Sequence, residues 1–160
     1  MSSFDRRGLL AGFAALAGCG FTPAYGPGGT AEGLRGRIEV AQPVDEEGFA
    51  LVNRLEERLG APVDPDYRIV AEIRIEEEGV GFLPDGTISR YNVLGRVDWR
   101  MLRMTDSSLA LSGREQNFTS YSATSTTVAT IVAQRDARDR WMVSIADTIT
   151  IDILARSGEL

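Results

Sequence analysis

Residues 88–104 read ISRYNVLGRVDWRMLRM. Tyr91, Val93, Gly95, Val97, Trp99 and Met101 share one parity, while Arg90, Asn92, Arg96, Asp98 and Arg100 share the other, with Leu94 among them. Such period-two alternation marks a strand buried on one face only. Residues 66–76, DYRIVAEIRIE, repeat the pattern. Tyr67, Ile69, Ala71, Ile73 and Ile75 stand against Arg68, Glu72, Arg74 and Glu76, with Val70 in the polar set. Between the two runs, Pro84-Asp85-Gly86 carries turn chemistry and Phe82-Leu83 is an apolar pair in a loop. The two runs are expected to be antiparallel neighbours, followed by a third strand from Leu109 to about Tyr121, kinked near Gly113.

Outward from this hairpin, GRIEVAQ at 36–42 alternates Ile38 and Val40 with charged residues and reads as a first strand. Residues 45–59 form a helix with both ends marked. Asp45 caps it, Glu46 and Glu47 suit the dipole, and Gly60 and Pro62 stop it. Its apolar stripe is expected at Phe49, Val52, Leu55 and Leu59. Near the C-terminus, Val128, Ile131 and Val132, then Ala137, Trp141, Met142, Ile145, Ile149 and Ile153 recur at helical steps. TITIDI at 148–153 also alternates like a strand, but the stripe running through it favours helix. The expected fold is α+β: a two-layer sandwich in the order β-α-β-β-β-α. It has a mostly antiparallel four-stranded sheet and two helices on one face.

The N-terminus carries a different signal. Arg6-Arg7 precede the short apolar run Leu9–Leu16, and Leu16-Ala17-Gly18-Cys19 ends it with small residues and the chain's single cysteine. The run is shorter than the roughly 20 residues a membrane span needs. The pattern is that of a bacterial lipobox, in which Cys19 takes a lipid and becomes the mature N-terminus. Residues 1–18 are then a signal peptide, 19–34 a Gly/Pro-rich lipidated tether containing Phe21, Pro23 and Tyr25, and 35–160 one domain. Arg6-Arg7 fit export by the twin-arginine or the general route equally. Gly20, rather than aspartate, follows the cysteine, which points to the outer membrane.

Composition excludes much chemistry. Residues 1–18 carry Asp5, Arg6 and Arg7, a net charge of +1, so the remaining 142 residues carry −7 against −6 for the whole chain. Such a chain opposes nucleic acid with its own field. There is no histidine and no lysine, all 17 cations are arginine, and the one thiol serves the anchor. Serine-histidine, serine-lysine and cysteine-histidine pairs, Schiff-base lysines and His/Cys metal clusters are therefore absent. The expectation is a protein that is not an enzyme, with no cofactor or metal beyond lipid on Cys19.

LAGCGFTPAYG at 16–26, FTSYSATSTT at 118–127 and AQRDARDR at 133–140, with the element order, cover essentially the whole mature chain. Together they resemble the lipopolysaccharide-assembly lipoprotein LptE family in its alphaproteobacterial form. The resemblance implies a non-catalytic lipoprotein on the periplasmic side of the outer membrane. It would plug and help assemble the LptD β-barrel and assist lipopolysaccharide delivery to the outer leaflet.

The polar parity of the sheet supplies Arg68, Arg74, Arg90, Arg96, Arg100 and Arg114 as lipopolysaccharide-binding candidates, because guanidinium groups bind phosphate and carboxylate bidentately. Glu72, Glu76 and Asp98 on the same parity could pair with them instead. Phe82 and Leu83 are the barrel-contact candidates. Two other readings remain. One is a free-standing lipid-anchored periplasmic binder of a cell-wall polymer or small ligand, which needs a concave apolar pocket. The other is a carboxylate hydrolase, for which Asp98 and Glu115 are the only loosely placed pair.

Overall fold

Side chains that alternate along a strand can build a core only if a second layer covers one of its faces, and both amphipathic helices do this here. The computed structural model describes residues 33–43, 45–123 and 126–160, with Gly26 and Gly29. Its elements are β1 (Ile38–Val40), α1 (Glu46–Leu59), β2 (Tyr67–Phe82), β3 (Ile88–Arg103), β4 (Leu109–Ser122), α2 (Thr127–Ala155) and a final 3-10 turn, Ser157–Glu159. The sheet order is β1-β2-β3-β4. α1 carries the chain from β1 to its parallel neighbour β2, and the remaining pairs are antiparallel. The α+β order expected from the sequence is the one observed.

The parity of β3 is as read: Val93, Val97, Trp99 and Met101 are buried, as is Ile69 of β2. Ile69, Val97, Trp99 and Met101 pack with Leu51, Leu55 and Leu59 of α1 and with Trp141, Met142, Ile145, Ile149 and Ile153 of α2, while Val93 packs with Tyr121 and Ala137 in a smaller cluster. TITIDI lies in α2, where Ile149, Thr150 and Ile153 are buried and Ile151 is exposed. The buried Thr150 hydroxyl donates to the Ala146 carbonyl, so the polar atom is satisfied within the helix.

Four expectations shift. Phe49 is 57% exposed, and the buried stripe of α1 is Gly48, Leu51, Leu55 and Leu59. Asp45 caps the helix by accepting from the Gly48 amide at 2.7 Å. A side chain at Gly48 would meet Asp45 and Pro43, so the helix turns its smallest residue to this close approach. Second, Val128, Ile131 and Val132 are exposed. α2 is about 43 Å long and α1 about 21 Å, so α1 can cover only about half of α2. Third, β4 runs unbroken through Gly113. That glycine is the seat of Trp99, whose indole lies 2.7 Å from where a Cβ would stand. Fourth, Leu34, at the end of the expected tether, is already part of the core.

Trp99→Ala should cost about 3–5 kcal/mol in urea unfolding, as large-to-small core changes do. Arg100→Ala, on the opposite face, should stay within about 0.5 kcal/mol. The reverse order would mean that the sheet faces are exchanged.

Candidate functional site

The face of the sheet away from the helices is open, and it gathers the arginines. Cross-strand register sets Glu72, Asp98 and Arg114 in one row, Arg74, Arg96 and Gln116 in the next, and Glu76, Leu94 and Phe118 in the third. Charge here is largely self-paired. Arg68 meets Glu39 at 3.0 Å, Arg74 meets Glu72 at 2.5 Å, and Arg114 meets Asp98 at 2.5 Å. Arg96 lies 3.1 Å from Asp98 through its buried Nε, at an angle that makes no hydrogen bond. Arg90 donates to the Ser120 hydroxyl at 2.9 Å. Arg100 is exposed and makes no ion pair among the described residues, beside a shallow depression shared with Val70, Ser112 and Arg114.

These pairs leave a mark on Asp98. The Arg114 hydrogen bond holds its carboxyl below the ordinary carboxylate value against partial burial, and the charges of Arg114, Arg96 and Arg74 add to the effect. An anionic ligand on this face would have to compete with Asp98 and Glu72 for their arginines. Among the described residues, Arg100 and Arg90 have no carboxylate to displace.

The hairpin tip is preorganised. Leu83 N–H donates to Thr87 O at 2.8 Å and Gly86 N–H to Leu83 O at 2.9 Å. Asp85 accepts from the Thr87 amide. Gly86 takes φ 84, a left-handed conformation that glycine adopts at little cost. Phe82 and Leu83 are 65% and 49% exposed, so the pair does not fold back onto the core.

Sequence reasoning passed over a second apolar element. Leu94 and Phe118 face each other across β3 and β4 on the open face and are 41% and 66% exposed. Its signal was legible in the polar-parity position of Leu94, as an apolar residue on the wrong side of an alternating strand. Asp98 and Glu115 lie on opposite faces, since Asp98 opposes Arg114 and Glu115 opposes Val97. Burial, helped by the negative charge of Asp152, raises the Glu115 carboxyl, and the Trp99 indole opposes this only weakly. The two carboxylates cannot flank one bond. Cys19 lies outside the described residues. Among the described residues no cluster of His, Cys, Asp or Glu could hold a metal, and no helix is long and apolar enough to cross a membrane.

No protein-family model and no curated protein sequence matches the chain. Solved structures do share its fold. A candidate lipoprotein from Caulobacter crescentus superposes with a TM-score of 0.67 at 22% identity, covering 83% of this chain and 98% of its own. Rare lipoprotein B from Shewanella oneidensis gives 0.56 at 14% identity, with 76% and 93% covered. A minor lipoprotein from Acinetobacter baumannii gives 0.53 at 15% identity, with 74% and 89% covered. At these identities the likeness is one of fold.

Proposed function

We propose that the chain is a lipid-anchored, non-catalytic outer-membrane subunit of the LptE type. In this reading it plugs and helps assemble an LptD-type β-barrel and assists lipopolysaccharide delivery. The observation that carries it is the coincidence of a lipobox at 16–19 with a fold that other lipoproteins share. The resemblance of 16–26, 118–127 and 133–140 to the LptE family, and a rigid apolar tip at Phe82-Leu83, support the same reading. Apolar residues held outward at a hairpin tip suit a protein partner, and they supply binding area with little ordering cost. Lipopolysaccharide contact is secondary in this scheme and falls to Arg90 and Arg100 before the self-paired arginines.

Native protein should begin at an acylated Cys19, which intact mass measures directly. Depletion should lower assembled barrel and surface lipopolysaccharide together. Phe82→Asp with Leu83→Asp should reproduce most of that loss while the domain stays folded. Glutamine at 90, 96 and 100 should spare the barrel and weaken binding of purified lipopolysaccharide at low salt. Unchanged barrel and surface lipopolysaccharide on depletion would overturn the assembly role.

One observation favours a second reading, the free-standing binder. A groove of about 390 Å³ lies where the end of β1 and the start of α1 meet β2, and Val40, Pro43, Leu51, Val52 and Ile73 line it together with Asp45 and Glu72. Saturable uptake of a small apolar ligand there, in a chain that captures no barrel, would move that reading to first place.

A further inference from the structure

Hydrogen-bond parity singles out the free edge of β4. Ala123 N–H donates to Ser89 O, directly opposite it in register, so odd residues of β4 bond to β3 and even ones turn their N–H and C=O away. Two of those outward groups are already occupied. Arg156 donates to Ser112 O at 2.9 Å, and Asn117 Oδ1 accepts from the Phe118 amide at 2.7 Å. Among the described residues, the outward amides and carbonyls of Arg114, Gln116 and Ser120 have no partner. The 14-residue strand contains no proline, and its charges are Arg114 on the open face and Glu115 on the helix-facing one. Beside the vacant stretch, Phe118 and Leu94 offer an apolar seat on the open face.

We propose that the β4 edge is a strand-addition site for a lone extended peptide segment. This segment alternates apolar and polar residues, its apolar side lies on Phe118 and Leu94, and it places no acidic residue opposite Glu115. A second copy of the chain would have to pack helix against helix. α2 runs along β4, with Asn117 bonded to Ser144 and Arg156 to Ser112. Pairing even residue with even residue puts both open faces on one side, hence both α2 helices on the other. Two α2 helices side by side would then need matched faces about 8–10 Å apart, across exposed Val143 and half-buried Ser144 rather than a built apolar seam. A single strand carrying no helix of its own needs no such match. The inference stands apart from the lipid anchor and from any barrel.

The test uses the full chain in mild detergent and a labelled ten-residue peptide of alternating valine and threonine. Binding should be saturable. Amide exchange at Arg114, Gln116 and Ser120 should slow by roughly tenfold or more, while the odd-numbered amides of β4, already in the ladder, stay unchanged. Gln116→Pro removes an outward N–H that β3 does not use and should weaken binding roughly tenfold. Phe118→Ser should weaken it severalfold without affecting the core. Asn117→Ala uncaps the Phe118 amide and should tighten it. Unslowed exchange at the three even amides, equal affinity of Gln116→Pro, or dimerisation of the unliganded chain through this edge would each overturn the proposal.

Discussion

Gly95→Ala should cost the protein about 3 kcal/mol or more, at or above the top of the range for an overpacked core, and leave little folded protein. The reason is the seat of Trp141. A Cβ at position 95 would stand 2.0, 2.3 and 2.5 Å from three atoms of its indole ring. The ring cannot retreat. It is buried under α2, and its Nε1 donates to Asn117 O at 3.0 Å. Trp141→Ala alone should cost about 3–5 kcal/mol. In that background Gly95→Ala should be nearly silent, so the two changes are strongly non-additive. Urea unfolding of the four proteins in this cycle measures the coupling. A mild Gly95→Ala in the presence of Trp141 would show that the ring lies elsewhere.

The second large effect is expected at Glu77. Its carboxylate accepts from the Tyr121 hydroxyl at 2.8 Å, from Gln134 at 2.8 Å, and from Arg138 Nη2 at 2.8 Å. Arg138 of α2 also reaches Glu47 of α1 at 2.7 Å, so its guanidinium links the sheet carboxylate to both helices. Burial alone would raise the Glu77 carboxyl, but hydrogen bonds from Arg138, Tyr121 and Gln134 outweigh it and hold it below its ordinary value of 4.5. The same burial and the nearby carboxylate push the Tyr121 hydroxyl up. Glu77→Ala should cost about 3 kcal/mol, the lower end for breaking a buried pair, because the side chain keeps 18% exposure. A depressed folded value means that the contribution is complete above pH 4.5 and disappears as pH falls through the folded value. Wild type should therefore lose more stability than Glu77→Gln between pH 6 and pH 3. Parallel pH profiles would remove Glu77 from the interface.

Alternation made the sheet legible because burial of one face imposes period two on most of β2 and β3, with Val70 and Leu94 as exceptions. Helix positions were legible only to within a residue. The α1 stripe depends on how closely the helix approaches, and Gly48 against Pro43 decides that, not the size of Phe49. The two tryptophan seats were invisible for a related reason. Gly95 falls on the apolar parity, and nothing local announces a ring arriving from residue 141. Gly113 read as a kink, since a glycine in a strand commonly marks one. The Glu77–Arg138 tie joins residues 61 apart and has no periodic signature. On the open face the composition was readable, but the pairing was not. Glu39, which occupies Arg68, lies on a strand whose register against β2 no sequence pattern states.

The length of the β2–β3 hairpin sets a distance. The chain enters the domain at Leu34, and Gly36 N–H donates to Leu59 O, at the end of the sheet where Ile38 pairs with Tyr67. From Tyr67 to Phe82 the strand advances roughly 50 Å at about 3.3 Å per residue. The domain is thus a stiff spacer, separating whatever holds residue 34 from whatever meets the tip by a little more than a bilayer with its headgroups, about 40–45 Å. Its length can change only in quantised steps. Deleting two residues from each strand keeps every side chain on its face and draws the tip in by about 7 Å. Deleting one from each turns the tip over and presents the other side of Phe82-Leu83.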